Sequence, residues 1–302
     1  MKLFFKKLLV NFLIVSILIS LTLAYSFNRY IEIRVPIIKF NLFHNRTKPS
    51  DTISLVLGNS HTLYGIDSKL LDGNTFNFAS INQSPMEDYT ILKHCKNPIR
   101  RVIIPISYFT NWHYLYKTPI IGEKLRIIDY KTIYSIEYPS FLNSKDIVIF
   151  TSELIKNITK TNKIGFDIQG NVIGKCYSNE NEIKNSKTTF YKHNIGRNFT
   201  KLNSYLDSIN LFCAKNKIDL FIIAMPYSHE YRNYTSKAGF NKYLIDLNKK
   251  YTDQRCIVLD FRAFFNESDE KIMFSDADHL SFCGRRNFSE FLNLKINLTF
   301  KY

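Results

Sequence analysis

Two kinds of apolar pattern alternate along this chain. Short runs rich in β-branched and aliphatic residues stand at Thr52–Leu57, Asn74–Ala79, Arg101–Ile106, Asp219–Met225 and Cys256–Phe261. That is the composition of buried strands. Longer segments with helical spacing fall between and after them, at Pro85–Lys96, Asn198–Asn216, Phe240–Tyr251 and Arg285–Leu294. Strands separated by helices predict an α/β fold with a mostly parallel sheet covered on both faces. The first strand closes on Gly58-Asn59-Ser60, small residues that suit a sharp turn, and a helix-compatible stretch from Thr62 to Leu71 follows. A strand that turns sharply into a helix leaves its turn residues at the carboxyl end of the strand, where ligands bind in open α/β sheets. Ser60 is thus either a helix cap or an exposed, chemically useful hydroxyl.

The N-terminus has a different pattern. Leu8 to Asn28 contains no charged residue and is mostly Leu, Ile, Val and Phe, with Lys2, Lys6 and Lys7 before it. The run has the length of a bilayer-crossing helix. Its alternative is a cleavable signal peptide, but the run is long for one, and Leu21-Thr22-Leu23-Ala24 is a mediocre cleavage site. An uncleaved anchor is expected, over residues 1–28, with the basic tail in the cytoplasm and the rest of the chain outside. Residues 29–50 read as a membrane-proximal linker, because Pro36 and Pro49 discourage a continuous helix. The globular domain is expected over 51–302.

Between the third strand and the long helix, residues 107–197 show no clean period and many Tyr, Ile and Lys residues. This is too long for an ordinary loop. It reads as an insertion over the carboxyl edge of the sheet, a candidate lid or substrate-binding element. Within it, Phe166–Ile173 resembles a hairpin turning on Gln169-Gly170-Asn171. Trp112 and its neighbouring tyrosines suit either sugar stacking or core packing.

Charge and cysteine content narrow the setting. The 302 residues carry a formal net charge of +15, with basic residues spread along the chain rather than massed. Such a surface tolerates anionic surroundings, such as lipid headgroups or acidic polysaccharide. No basic helix or aromatic-basic motif stands out, so nucleic acid is not an expected partner. The five cysteines form no C-x-x-C pair and no zinc spacing. Cys213 and Cys256 lie in apolar periodic segments and read as small core residues. Cys176 and Cys283 are candidates for a disulfide that spacing alone does not pair. No cofactor and no metal ion is expected.

The candidate chemistry joins the two ends of the domain. After the fifth strand comes Phe274-Ser275-Asp276-Ala277-Asp278-His279-Leu280-Ser281, with Gly284 shortly beyond. In an α/β sheet this segment shares an edge with Ser60. A serine hydroxyl needs a base to act as a nucleophile, histidine titrates in the right range, and a carboxylate behind it fixes the imidazole tautomer. Asp276 and His279, three residues apart, can meet within one turn of chain. Asp278 is the alternative partner, or otherwise a solvated turn residue. His61 is expected to point away from Ser60 and to be exposed. His229, after the fourth strand, reads as a surface-loop residue.

Gly58-Asn59-Ser60 after the first strand, paired with Asp276-x-x-His279 before the last helix, resembles the SGNH/GDSL hydrolase superfamily. The Asp-x-Asp-His-Leu-Ser-x-x-Gly run and the anchored architecture look like its cell-envelope branch of DltD-like and polysaccharide O-acetyl-modifying proteins. The resemblance covers Thr52 to about Leu294. It implies a flavodoxin-like three-layer α/β/α sandwich and ester chemistry, with Ser60 as nucleophile, His279 as base and Asp276 as its orienting partner. The family's oxyanion glycine is missing from Ala79-Ser80-Ile81-Asn82-Gln83, and so is its Gly-x-Asn-Asp after the third strand. Asn82 or Gln83, and Asn111, are the expected substitutes. Two functions follow as expectations. One is an extracytoplasmic serine esterase or O-acyltransferase on acylated envelope polysaccharide, working with a membrane acyltransferase partner. The other is a non-catalytic envelope protein that binds polysaccharide or an assembly partner.

Overall fold

The computed structural model describes residues 2–29, 34–110, 126–137, 165–173, 180–193, 204–251 and 255–299. In chain order they form α1 (Lys2–Arg29), α2 (Val35–Arg46), β1 (Ile53–Val56), α3 (Ser60–Gly65), β2 (Thr75–Asn77), α4 (Pro85–His94) and β3 (Ile99–Pro105). Then come α5 (Arg126–Tyr134), β4 (Gly165–Phe166), β5 (Val172–Ile173), α6 (Glu180–Ile183), α7 (Ser186–His193), α8 (Ser204–Lys215) and β6 (Asp219–Ala224). The chain closes with α9 (His229–Lys237), α10 (Phe240–Tyr251), β7 (Cys256–Asp260), α11 (Glu270–Met273) and α12 (Phe282–Thr299).

Five strands form one sheet in the order β2-β1-β3-β6-β7, and every neighbouring pair is parallel. Side chains alternate across a strand, and here the alternation divides the core in two. Leu55, Leu57, Val102, Ile104, Leu220 and Ile222 face one way, onto α4, α8 and α10 through Leu92, Ile209 and Leu247. Val56, Ile103, Phe221 and Ile223 face the other way, onto α12 through Phe288, Leu292 and Ile296. Helices on both faces of a parallel sheet make three layers. The chain moves from β1 to β2 on one side and then to β3 on the other, so the strand order reverses between β1 and β3. That is the crevice-forming point of an open α/β sheet.

Within the expected linker of residues 29–50, the described part departs from irregular chain. Residues 35–46 form α2, and Pro36 sits in its first turn, where a missing N–H leaves no intrahelical bond unmade. Phe43 of α2 is buried against Phe76 and Phe78, with ring centroids 5.2 and 4.9 Å away. Arg34 pairs with Asp129 of α5 at 3.0 Å. Lys39 is fully buried and donates to the Ala79 carbonyl at 2.6 Å. Burial, the largest influence, lowers its pKa well below the usual lysine value.

The hairpin over Phe166–Ile173 is present as the antiparallel pair β4 and β5. It packs on the β2 edge, where the Asn77 N–H donates to the Gln169 carbonyl at 2.9 Å. Among the described side chains, no helix is long and apolar enough to cross a membrane. The described side chains of α1 end at Leu21, inside the uncharged run that the sequence carries to Asn28. The large apolar side chains of α1 that are described, between Phe4 and Leu21, are exposed.

Candidate active site

The turn after β1 is shaped by Gly58. Its φ is +103°, and a Cβ there would lie 2.1 Å from the Pro105 ring of β3. Only glycine meets both demands. The Gly58 N–H donates to buried Asp88 of α4 at 2.8 Å. Asn59 then caps α3, its side chain accepting from the His61 N–H at 3.0 Å. Asn59 rather than Ser60 is therefore the cap, and Ser60 opens the helix with its hydroxyl available for other work.

The partner loop is closed by a short antiparallel bridge between Phe274 and Leu280, with the Ser275 N–H donating to the His279 carbonyl at 2.9 Å. Asp276 Oδ1 accepts from the backbone N–H groups of Asp278 and His279, at 3.0 and 2.8 Å. Ser281 starts α12 by accepting from the Gly284 N–H at 3.1 Å. A side chain at 284 would strike the Met273 carbonyl at 2.0 Å, so the glycine lets α12 begin directly beneath the loop. These contacts account for the Asp-x-Asp-His-Leu-Ser-x-x-Gly spacing.

The two loops meet at the carboxyl edge of the sheet. Ser60 Oγ lies 2.8 Å from His279 Nε2. His279 Nδ1 lies 3.0 Å from both carboxylate oxygens of Asp276. With the proton on Nδ1, facing the carboxylate, Nε2 is left to accept from the serine hydroxyl. The Ser60–His279–Asp276 chain is thus continuous in hydrogen bonds.

His61 differs from its sequence-based reading, being buried and not exposed. Of the two readings of Asp278, the solvated turn residue is excluded by its burial, and the carboxylate stands 3.4 Å from His279 Nδ1. The His61 and Asp278 side chains meet, His61 Nε2 lying 2.9 Å from Asp278 Oδ2. On its other nitrogen His61 is 2.5 Å from Ser107 Oγ. Burial, the largest influence, lowers the His61 pKa despite Asp278 beside it. A neutral ring that donates from Nε2 to the carboxylate and accepts at Nδ1 from the Ser107 hydroxyl satisfies every contact. Burial pushes the Asp278 pKa up, but His279, His193 and His61 together outweigh it and hold the group ionised, below the usual carboxylate range. His193 Nδ1 is 3.6 Å from Asp278 and 2.6 Å from the Tyr231 hydroxyl. Sequence reasoning missed Ser107 and His193. The only signal for this second network was that Ser60 and His279 are each followed or preceded at close range by another His or Asp. His229 is partly exposed and pairs with Glu267 at 2.7 Å, away from Ser60.

The expected oxyanion donors fare unevenly. Gln83 is fully engaged: its backbone N–H donates to the Ser80 carbonyl at 3.1 Å, its amide to Asp88 at 2.6 Å, and its carbonyl oxygen accepts from Tyr130 at 2.5 Å. It is not available to an oxyanion. The Ser80 N–H is likewise committed, to the Gly58 carbonyl at 3.0 Å. Asn82 stands in the left-handed region at φ +57°. Asn111 and Trp112 lie outside the described residues.

His61, Asp278 and His279 each offer a ligand atom within 4.8 Å of the others. Both ring nitrogens of His279 and of His61 already have partners, so an ion would displace the contacts to Ser60, Asp276 or Ser107. Cys283 is disulfide-bonded, Cys95, Cys213 and Cys256 are free thiols, and Cys176 lies outside the described residues. No family model matches the chain, and no curated protein matches it.

Proposed function

We propose that this chain is a membrane-anchored, extracytoplasmic serine esterase or O-acyltransferase of the SGNH type, acting on acyl groups of cell-envelope polysaccharide. The observation that carries the reading is the hydrogen-bonded chain from Ser60 through His279 to Asp276. The strand order supports it as well. Counted within the sheet it is 2-1-3-4-5, as in flavodoxin-like folds, and Ser60 and Ser107 follow the two strands that flank the reversal.

The reaction is written as two acyl transfers. His279 Nε2 takes the proton from Ser60 Oγ as that oxygen bonds to the ester carbonyl carbon. The tetrahedral intermediate collapses, the alkoxy group leaves with the proton from His279, and the acyl group stays on Ser60. Water or a sugar hydroxyl then gives its proton to His279 while attacking the acyl carbon, and Ser60 leaves with that proton. Asp276 stabilises the imidazolium formed in each half. With Ser80 and Gln83 committed elsewhere, and the His61 N–H held by the Asn59 side chain, the oxyanion is assigned to the Ser60 N–H that opens α3.

A fluorophosphonate probe tests the reading on the full chain in detergent. Ser60 is expected to be labelled, and Ser60→Ala and His279→Ala are each expected to abolish labelling and hydrolysis of small acetyl esters, since the pair acts as a unit. Ester hydrolysis that survives Ser60→Ala, or a folded wild type that neither labels nor hydrolyses, would remove the chain from the serine hydrolases. The polysaccharide-binding reading would then stand in its place.

A further inference from the structure

The His61–Asp278 pair is not used by the mechanism above, yet it touches that mechanism at one atom. Asp278 divides its two oxygens. Oδ2 faces His61 Nε2 at 2.9 Å, and Oδ1 lies 3.4 Å from His279 Nδ1, the same nitrogen that Asp276 holds at 3.0 Å. The two carboxylates differ in setting. The Asp276 side chain is 29% exposed and the Asp278 side chain 2%. A charge shielded from water acts more strongly on its neighbour than one that water can screen.

We propose that Asp278 is a second carboxylate for His279, a positioning residue that shares the Nδ1 proton with Asp276, and that His61 holds it in place. The inference rests on the esterase reading for its consequence in catalysis, but the geometry it concerns is present without substrate. His61 is suited to the task. It is anchored on its far side by Ser107, whose hydroxyl also receives the Asn59 amide at 3.3 Å. The same Asn59 caps α3. The turn that sets Ser60 is therefore tied to the carboxylate that faces the base of Ser60. Asp278 stays ionised because three imidazoles surround it.

Among the described residues, few groups face this pair. His61 comes from α3, His193 from α7, Tyr231 from α9, and Tyr227 from the loop after β6; Asp276 and His279 share the loop of Asp278. Burial raises the Tyr227 and Tyr231 pKa values, and Asp278 adds to the effect, so both phenols are neutral at physiological pH.

Asp276→Asn decides the matter. Asparagine keeps the Oδ1 that accepts the two loop N–H groups, so the loop retains its shape, but it carries no charge and places an NH2 donor where Oδ2 stood, 3.0 Å from Nδ1, which favours an unprotonated Nδ1. With one carboxylate only, the neutral ring switches to the Nε2–H tautomer and activity falls by about four orders of magnitude. With Asp278 as the second carboxylate, the Nδ1–H tautomer persists, and turnover falls by no more than about a hundredfold, in kcat and not KM. The double variant Asp276→Asn/Asp278→Asn then shows the Nε2–H tautomer and the residual rate of Ser60→Ala.

The tautomer is read from ring nitrogen shifts in the full chain labelled with nitrogen-15 histidine, the signal of His279 being assigned by its loss in His279→Gln. An Nε2–H ring in the single variant Asp276→Asn overturns the proposal, whether or not the double variant folds. An Nδ1–H ring in that variant, with no ester hydrolysis in the wild type, would instead leave the shared proton standing and sink the esterase reading alone.

Discussion

Asp88 shows how one side chain behind the site ties folding to pH. It is fully buried beneath the Gly58 turn, and burial drives its pKa from 3.8 up to about 7, against the opposing hydrogen bonds from Gln83 and Gly58. The folded state therefore holds a proton that the unfolded chain loses above about pH 4. The contribution favours the fold at low pH and is lost as pH rises through about 7. A carboxyl displaced that far changes stability by about 4 kcal/mol across the window. Asp129 slopes the same way, since burial pushes it to about 6 despite Arg34 beside it. Asp88→Asn keeps acceptors and donors of the same shape and removes the titration. Relative to wild type, the variant is expected to gain a few kcal/mol of stability between pH 5 and pH 8, read from denaturant midpoints at the two values. Parallel curves would mean that Asp88 titrates normally. Ser60, His279 and Asp276 were legible from residue type and spacing, because a serine needs a base and a base needs a carboxylate. Asp278 was legible only as an alternative partner for His279, and its pairing with a buried His61 was not legible at all. Adjacent side chains on a turn do diverge: Ser60 turns out to His279 and His61 turns inward. What no spacing rule showed is that the opposite loop offers a carboxylate to each direction.

At the scale of elements, the strands and the helices α4, α8, α10 and α12 were legible because their periods are clean; the expected start of α8 at Asn198 lies outside the described residues. The last five residues of α12, from 295 to 299, went unread because Lys295 and Asn297 interrupt the apolar spacing. α2 went unread because Pro36 reads as a breaker, whereas a first-turn proline is compatible with a helix. The difference has a consequence. A chain that begins at Arg34 keeps α2, with Phe43 packed on Phe76 and Phe78 and the Arg34 pair to Asp129. A chain that begins at Ser50 loses them and leaves Phe76 and Phe78 uncovered. Loss of one buried phenylalanine side chain costs about 3–5 kcal/mol. The shorter chain is expected to be less stable than the longer by at least about 3 kcal/mol in urea titration, and to aggregate more readily. Equal midpoints would show that α2 is a dispensable appendage, as a linker would be.

At the scale of the whole molecule, α1 is the part that the rest of the fold does not explain. Between Phe4 and Leu21 its described large apolar side chains are exposed, a surface that water disfavours and that a soluble domain rarely presents. The uncharged run continues in sequence to Asn28, about the length that a bilayer asks for, with Lys2, Lys6 and Lys7 on one flank and Arg29 and Arg34 on the other. The flank with three lysines carries more basic residues than the flank with two arginines, so the positive-inside rule favours keeping it in the cytoplasm. α2 follows within a few residues and is fastened to the domain by Phe43 and by Lys39. If α1 spans the membrane, a domain fastened so close to it would sit against the membrane surface, where a net charge of +15 is compatible with anionic headgroups and anionic glycans. The chain is therefore expected to stay in the membrane pellet after an alkaline carbonate wash. A fluorescent reporter that matures only in the cytoplasm is expected to stay dark when fused to the C-terminus, and a reporter that needs oxidising export is expected to be active there. A bright cytoplasmic reporter would invert the topology and with it the choice of substrate, since an envelope polysaccharide would then be out of reach. A soluble product trimmed near Ala24 would show a signal peptide in place of the anchor, with the domain released on the same side.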